Sequence, residues 1–565
     1  MPAQSTMSSH VRFSSCRGVD FEIKPRADPF AVVTSPLPNG QPPLTGSRSW
    51  FPWYGEIPTR FTPSVLSLRS TTKGSSHYCD LELDLDVDED GCDEKEHFFL
   101  GPLEEWNYKV EKGTKQHCDP PPILDSPKKN VPRKQDARLS VIMLDQGLFT
   151  VYKRLFVVCL MLNITGLVLA ASGHFWYARN RAALFSIANI LALTLCRSEA
   201  ILRVVFWLTV KVLGHTWIPL FLKTASTSIL QSLGGIHSGC GVSSIAWLVY
   251  ALVLTLKDRE NSSPEIIGVS STILALLSLS AAAAFPLMRH LHHNVFERIH
   301  RFAGWSALAL LWAFLCLTMS YDPISKSYHS LALSELSTRQ EFWFTTTITV
   351  LILLPWLTVR RVPVNITSPS GHASIIKFHG GVKPGILGRI SPSPLSEWHA
   401  FGIISNGKDE HMMLAGAVGD FTKSLVSNPP SHLWVRQVHF AGLPYLANMY
   451  DRVLLVATGS GICVFLSFLL QPCKASVGML WVAKGIEQNF GKEIKEMMSG
   501  HPTQKVIVHD TAVLGRPNVA EMSVDAARRW GAEVVIVTSN PEGSRDVVKA
   551  CREKGIAAFG PIWDS

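Results

Sequence analysis

The 565-residue chain is short of charge: only 17% of its residues are Asp, Glu, Lys or Arg, where a soluble globular chain carries about 25%. That deficit argues against an ordinary soluble enzyme. Its 11 Cys include no Cys-x-x-Cys pair, which excludes a zinc ribbon and a disulfide framework. The first twenty residues lack the apolar run of about 7–15 residues that marks a signal peptide. No internal repeat is present. The net charge of +8, 53 basic against 45 acidic residues, is too small for this length to indicate nucleic acid, and no nucleic-acid partner is expected. A secreted soluble protein is excluded. What the chain has instead is apolar residues (47%) and 16 Trp, with a mean hydropathy of +0.17. Its 39 Gly and 34 Pro add long loop-rich stretches.

Composition divides the chain into parts. Residues 1–140 are rich in Pro, Ser and charge, with ten acidic residues between Asp80 and Glu96 and a basic run from Lys128 to Lys134. Such a segment buries too little apolar area to offset its ordering entropy. The composition predicts a disordered cytosolic tail that docks a protein partner, with a weak transit peptide as the other reading. Residues 150–362 hold six uncharged runs: Leu155–Ala178, Ala182–Cys196, Thr224–Leu256, Ile266–Met288, Phe302–Tyr321 and Phe342–Val359. Crossing the hydrocarbon takes about 20 residues, so these predict a six-span α-helical bundle in the lipid bilayer, its second span extended or tilted. Lys153-Arg154, the basic residues between spans 2 and 3, those between spans 4 and 5, and Arg360-Arg361 all fall on one side. Positive charge marks the cytosol. Both termini are therefore expected to be cytosolic, in a plasma membrane or endomembrane, with Asn261 outside as a glycan acceptor.

Residues 370–450 carry Gly, Pro and short apolar runs and predict a small β-barrel. In 451–565 the β runs Val453–Ala457, Val477–Val482, Lys505–His509 and Glu533–Thr538 alternate with helical stretches, the pattern of a parallel α/β nucleotide-binding domain. An apolar helix is expected from Cys463 to Leu470. In the membrane part, His237 lies near the start of span 3 and His300 at the start of span 5. Odd-numbered spans run in the same direction, so both sit at one depth near the cytosolic face. Two readings stay open from the residues alone: a bis-His haem site, or two polar helix ends.

Residues 150–565 resemble the ferric reductase and NADPH oxidase superfamily. The segment His237-Ser-Gly-Cys-Gly241 is similar to that family's span-3 motif, His-Arg-x-x-Gly. In the family, spans 3 and 5 each carry a second His thirteen or fourteen residues on. Those positions here are Tyr250 and Ala251, and Ala313 and Phe314. The resemblance therefore implies one inner haem b on His237 and His300 as metal ligands, and no outer haem. Glu397-Trp398-His399-Ala400-Phe401-Gly402 resembles the flavin motif Glu-Trp-His-Pro-Phe-Thr, and Gly419-Asp420-Phe421-Thr422-Lys423 the downstream Gly-Asp-Trp-Thr-Lys. This implies FAD at His399, Phe401, Gly419 and Thr422. Gly459-Ser460-Gly461-Ile462 resembles the loop that brings a pyrophosphate to a helix N-terminus, implying NAD(P)H at Gly459, Gly461 and Ile462. Gly515-Arg516-Pro517 matches a downstream element, in which Arg516 either meets an adenosine phosphate or is a turn residue.

There are departures. The flavin motif's Pro and Thr are Ala400 and Gly402, an Arg three residues before Gly-Asp is Gly416, and a Cys-Gly-Pro beside the nicotinamide is replaced by Ser539-Asn540-Pro541. The pattern is similar to a divergent, TmpA-like branch of fungal membrane flavoproteins. It implies a membrane oxidoreductase passing electrons from NAD(P)H through FAD to an acceptor that is cytosolic or dissolved in the membrane. No catalytic residue is singled out. The alternative is a catalytically weak relative acting as sensor or scaffold.

Overall fold

The computed structural model describes residues 12–14, 20–22 and 150–562. Arg12–Ser14 and Asp20–Glu22 pair antiparallel, Phe13 opposite Phe21; the rest of the tail expected over 1–140, including its acidic run, lies outside the described residues. The helical part comprises α1 (Val151–Ala171), α2 (Ala182–Leu195), α3 (Glu199–Leu213), α4 (Leu220–Gln231), α5 (Gly234–Lys257), α6 (Pro264–Ala283), α7 (His293–Ser320) and α8 (Gln340–Leu357). Thr150 caps α1 and Ser263 caps α6, each hydroxyl accepting a first-turn N–H as N-cap residues do. Among the described residues, four helices are long and apolar enough to cross a membrane: α1, α5, α6 and Val295–Ser320 of α7. Among the other two expected spans, α2 has only 14 residues and α8 has 18, with Pro355 inside it.

Two expectations need correction. The run Thr224–Leu256 is two helices, broken where Ser232 ends α4 and Gly234 starts α5. The charged stretch between spans 2 and 3 contains a full helix, α3, whose Leu202, Phe206, Val210 and Leu213 recur at helical spacing. Phe206 is 4% exposed, and the four pack on the cores of the strand region rather than on other helices. α3 is thus the fitting that joins the two halves.

After α8 come β1 (Val359–Pro363), β2 (Asn365–Ser370), β3 (Ala373–His379), β4 (Ile386–Ser391), β5 (His399–Gly402), β6 (Ile404–Ser405), β7 (Glu410–Gly416), α9 (Asp420–Ser427), β8 (His432–Arg436) and β9 (Phe440–Ala441). They form two antiparallel sheets, ordered β6-β7-β3-β2 and β9-β4-β8-β1, with β5 beside β4. Beyond them β10 (Arg452–Thr458), β11 (Ser476–Ala483), β12 (Val506–Asp510), α10 (Val519–Trp530), β13 (Val534–Thr538), α11 (Pro541–Glu553) and β14 (Ala557–Phe559) build a parallel sheet, β12-β11-β10-β13-β14. Strands β10, β11 and β13 are buried on both faces, which is why they read as continuous apolar runs. The helix expected at Cys463–Leu470 is a 3-10 turn, Gly459–Val464, followed by one short turn, Ser467–Leu470. One core runs across both sheet regions, from Ile375 and Leu414 to Ile462 and Met479.

Two histidines between these sheets make the fold acid-sensitive. The His411 and His439 ring centres are 5.7 Å apart, and Arg203 donates to the His439 carbonyl oxygen at 2.9 Å. Burial, then His411 and then Arg203, lower the His439 pKa from 6.5 to about 4. Below pH 6.5 the unfolded chain takes up a proton that the folded chain refuses until about pH 4. Stability therefore falls as pH drops through that window, by at most about 1.4 kcal/mol per unit. Melting curves at pH 7 and pH 5 are expected to differ more for the native chain than for His439→Gln; equal differences would dismiss His439 as the cause.

Candidate functional site

The flavin-like strand β5 shows its side chains to both sides of its sheet. Phe401 lies opposite Gly388 and His399 opposite Ile390. Phe401 is buried in the core with Ile376, Ile390 and Met413, and His399 stacks on Phe421 with ring centres 4.5 Å apart and planes 13° apart. The rest of the motif is also structural. Glu397 accepts from Arg298 of α7 at 2.7 Å, and Trp398 lies under the Arg436 guanidinium, 4.7 Å from its ring centre. Glu397 thus docks the strands onto the helix that carries His300, while Trp398 packs on β8.

Ala400 and Gly402 lie opposite Arg389 and Leu387 and so point the other way. On that side a cavity of about 300 Å³ is walled by Leu387 and Arg389 of β4, Val464 and Thr538 of the α/β region, and Arg197 and Gln231 of the helical part. A Cβ on Gly402 would come within 2.4 Å of Val464 Cγ1 and 2.6 Å of its Cα. The hydroxyl missing from this position is therefore a consequence of close packing between β5 and the nucleotide-type loop.

Gly419 and Thr422 do come together. The buried Thr422 hydroxyl accepts from the N–H groups of Val418 and Gly419, both at 3.0 Å, and donates to the Gly419 carbonyl. Thr422 is thereby a clasp on its own turn at the start of α9. At the carboxyl ends of the parallel strands, Gly459 takes φ +52°, a left-handed conformation suited to glycine, and its carbonyl accepts from Trp481 Nε1 at 2.9 Å. Gly459, Gly461 and Ile462 are all buried, with Ile462 in the core. Thr458 and Ser539 hydroxyls meet at 2.7 Å across β10 and β13, where the strand order reverses, the place ligands occupy in open α/β sheets. Arg516 stands apart, exposed in the loop beyond edge strand β12.

The two His predicted as ligands are brought together. The His237 and His300 ring centres lie 6.3 Å apart, with planes at 51°. His237 Nδ1–H donates to the Leu193 carbonyl at 3.0 Å. His300 Nδ1 lies 2.8 Å from the Ser280 hydroxyl and 3.3 Å from its carbonyl. A carbonyl only accepts, so His237 Nδ1 carries the proton and its Nε2 keeps its lone pair; the Ser280 hydroxyl beside His300 Nδ1 can donate or accept. Metal-bound His is oriented in this way. A metal–imidazole bond is about 2 Å, which with the ring radius puts two facing ligands' centres ~6 Å apart. The pair fits an axial bis-His site, and Gly234, three residues before His237, is on the cavity wall. Farther out the bundle is filled. Trp247 stacks on Phe185 at 4.7 Å and packs beside Tyr250, while Phe314 packs with Ile187, Leu311 and Ile348. A void of about 20 Å³ remains there, room for one water.

Sequence reasoning missed the charges that knit the halves. Glu199, at the start of α3, pairs with Arg389 and, at 3.3 Å, with Arg436. Arg301 donates to the carbonyls of Leu395 and Ser396 at 3.1 Å. These residues read as interhelical charge in a linear sequence, with no local signal of partners 94 to 237 positions away.

The chain is similar to proteins of known kind. Residues 443–565 match the family model described as the C-terminal domain of adenylate-forming reductase 03009. The chain is 33% identical over 441 residues, 77% of its length, to adenylate-forming reductase 03009 of Coprinopsis cinerea, and 32% identical over 449 residues to adenylate-forming reductase 06235 of the same fungus. It spans 42% of the length of each. Among solved structures, phthalate dioxygenase reductase is 11% identical with a TM-score of 0.29, over 36% of this chain and 68% of that one. Plasmodium falciparum ferredoxin-NADP+ reductase is 10% identical with the same TM-score, over 36% and 94%. Among the described residues, the chain thus joins a helical part containing four membrane-length apolar helices to a β and α/β region whose residues 443–565 are similar to the C-terminal domain of adenylate-forming reductase 03009.

Proposed function

We propose that this protein is a membrane-integral, NAD(P)H-dependent flavin oxidoreductase with a single haem b. The observation that carries this reading is the alignment of three features: the carboxyl edge of the parallel sheet, the cavity beside β5, and the facing His237 and His300 rings. FAD, when bound, supplies the conversion of a two-electron hydride into single electrons, and a haem supplies a one-electron store. The protein's own contribution is placement. Gly459 and its neighbours offer a close-approach turn for a dinucleotide, the cavity offers about 300 Å³ of mostly apolar space, enough for a flat ring system, and the two Nε2 lone pairs offer axial ligands. The relatives' names speak of reductases, which agrees. Exposed Val158, Met161, Leu162 and Val168 on α1 form an apolar surface suited to lipid, and on this reading the basic helix ends favour cytosolic termini. Because Tyr250 and Phe314 occupy the outer half, the acceptor is cytosolic or dissolved in the membrane.

The second reading, a sensor or scaffold, is favoured by the buried nucleotide-type loop and its contact with Gly402. One experiment separates them. With added FAD, the purified chain is expected to transfer electrons from NADPH to a soluble dye, and Gly459→Val to abolish this, since valine resists φ +52° and fills the approach to the loop. Absence of any FAD binding would favour the scaffold.

A further inference from the structure

Three charged side chains line the cavity: Arg197, Glu199 and Arg389. Glu199 is committed to Arg389 and Arg436. The Arg197 guanidinium has no hydrogen-bond or ion-pair partner among the described residues. The wall thus carries one uncompensated positive charge (two Arg less one Glu) amid Leu202, Phe206, Leu230 and Phe440. On the same wall Gln231 has Oε1 buried without a partner. An unpaired guanidinium on the wall and an orphaned buried amide oxygen each leave hydrogen-bonding capacity unmet, and they share one neighbour: whatever occupies the cavity.

We propose that Arg197 is the cavity's anion receptor, and that its ligand is the pyrimidine edge of a flavin ring, held more tightly when that ring is reduced. This rests on the flavin reading above. The pyrimidine edge of a flavin is neutral when oxidised and carries negative charge when reduced, delocalised over a nitrogen and a carbonyl oxygen. A guanidinium matches such a two-atom edge bidentately. The position suits that role: Val464 and Thr538 bring the nucleotide-binding edge to one side of the cavity, and Gly234 leads to His237 on the other. By favouring the reduced ring, Arg197 raises the potential at which the site accepts a hydride.

The test uses the full chain in nanodiscs, with FAD as the probe, and measures affinity for oxidised FAD together with the midpoint potential of the bound flavin. For Arg197→Gln, oxidised FAD is expected to bind within about twofold of the native chain and reduced FAD about tenfold more weakly, a midpoint about 30 mV lower. Arg197→Lys is expected to recover part of the difference, since it restores charge without the fork. An unchanged potential in Arg197→Gln overturns the proposal, as does an equal loss of both redox forms, which would assign Arg197 to a flavin phosphate. Loss of the Soret band with the flavin potential unchanged overturns it too, and assigns the cation to a porphyrin carboxylate. A native chain that binds no FAD removes the flavin reading itself.

Discussion

If the proposed haem is bound, His237→Ala and His300→Ala are each expected to abolish the Soret band of the purified chain, and Tyr250→Ala and Phe314→Ala to leave it at full intensity. The first pair removes an Nε2 whose orientation is fixed from behind, by Leu193 in one case and Ser280 in the other, so no rotation of a neighbour replaces it. The second pair touches only the packed outer half of the bundle. Folding survives the His substitutions because the helices are held elsewhere: Asn163 accepts from Asn189 at 2.8 Å and from Trp247 at 3.0 Å, tying α1, α2 and α5 together away from the His pair. The absorption spectrum, normalised to protein, is the measurement. Full haem in both His variants would remove the axial assignment, and loss of haem in Tyr250→Ala would place it in the wrong half of the bundle.

Placing the threonine of the resembled flavin motif at position 402 is expected to harm the protein. In Gly402→Thr the new Cβ collides with Val464, within 2.6 Å of its Cα and 2.7 Å of its N as well as its side chain. Backbone cannot rotate away, so either β5 or the Gly459–Val464 turn must move. Overpacking of this kind costs about 1–3 kcal/mol, and each kcal/mol lowers Tm by roughly 2–4 °C in a region of this size. The seam between the strand region and the α/β region opens at the same time, so proteolysis between them accelerates. Thermal denaturation and limited proteolysis check this. A Gly402→Thr chain as stable as the native one would show that the cavity side of β5 is open, and that the missing hydroxyl is an independent loss.

What was legible in the sequence was whatever depends on one segment alone. The run Val453–Ala457 became β10 almost to the residue, because a strand buried on both faces has no polar alternation to blur its ends. The apolar runs around α1, α5, α6 and α7 were legible for the same reason. His237 and His300 have ring centres 6.3 Å apart, the one juxtaposition between segments that followed from helices running the same way. Contacts between segments were not legible. That Phe401 serves the core while Ala400 and Gly402 face the cavity follows from their pairing with β4, to which the motif contains no pointer. α3 was hidden because Glu199, Arg203 and Lys211 dilute its apolar stripe; read at a period of 3.6 rather than for long uncharged runs, Leu202, Phe206, Val210 and Leu213 give it away. Arg197 passed as one more cytosolic charge, since nothing local reveals that it shares a cavity wall with Leu387 and Arg389 of the strand region.

The proposed path from dinucleotide to flavin to paired histidines is tested most directly by one spectrum. The full chain, purified with added FAD and held under anaerobic conditions, is recorded before and after NADPH. The predicted result is a flavin band and a Soret band together at first, with NADPH bleaching the flavin and shifting the Soret band to its reduced position. A protein that stays colourless at high FAD, or a Soret band that dithionite shifts and NADPH does not, would contradict it.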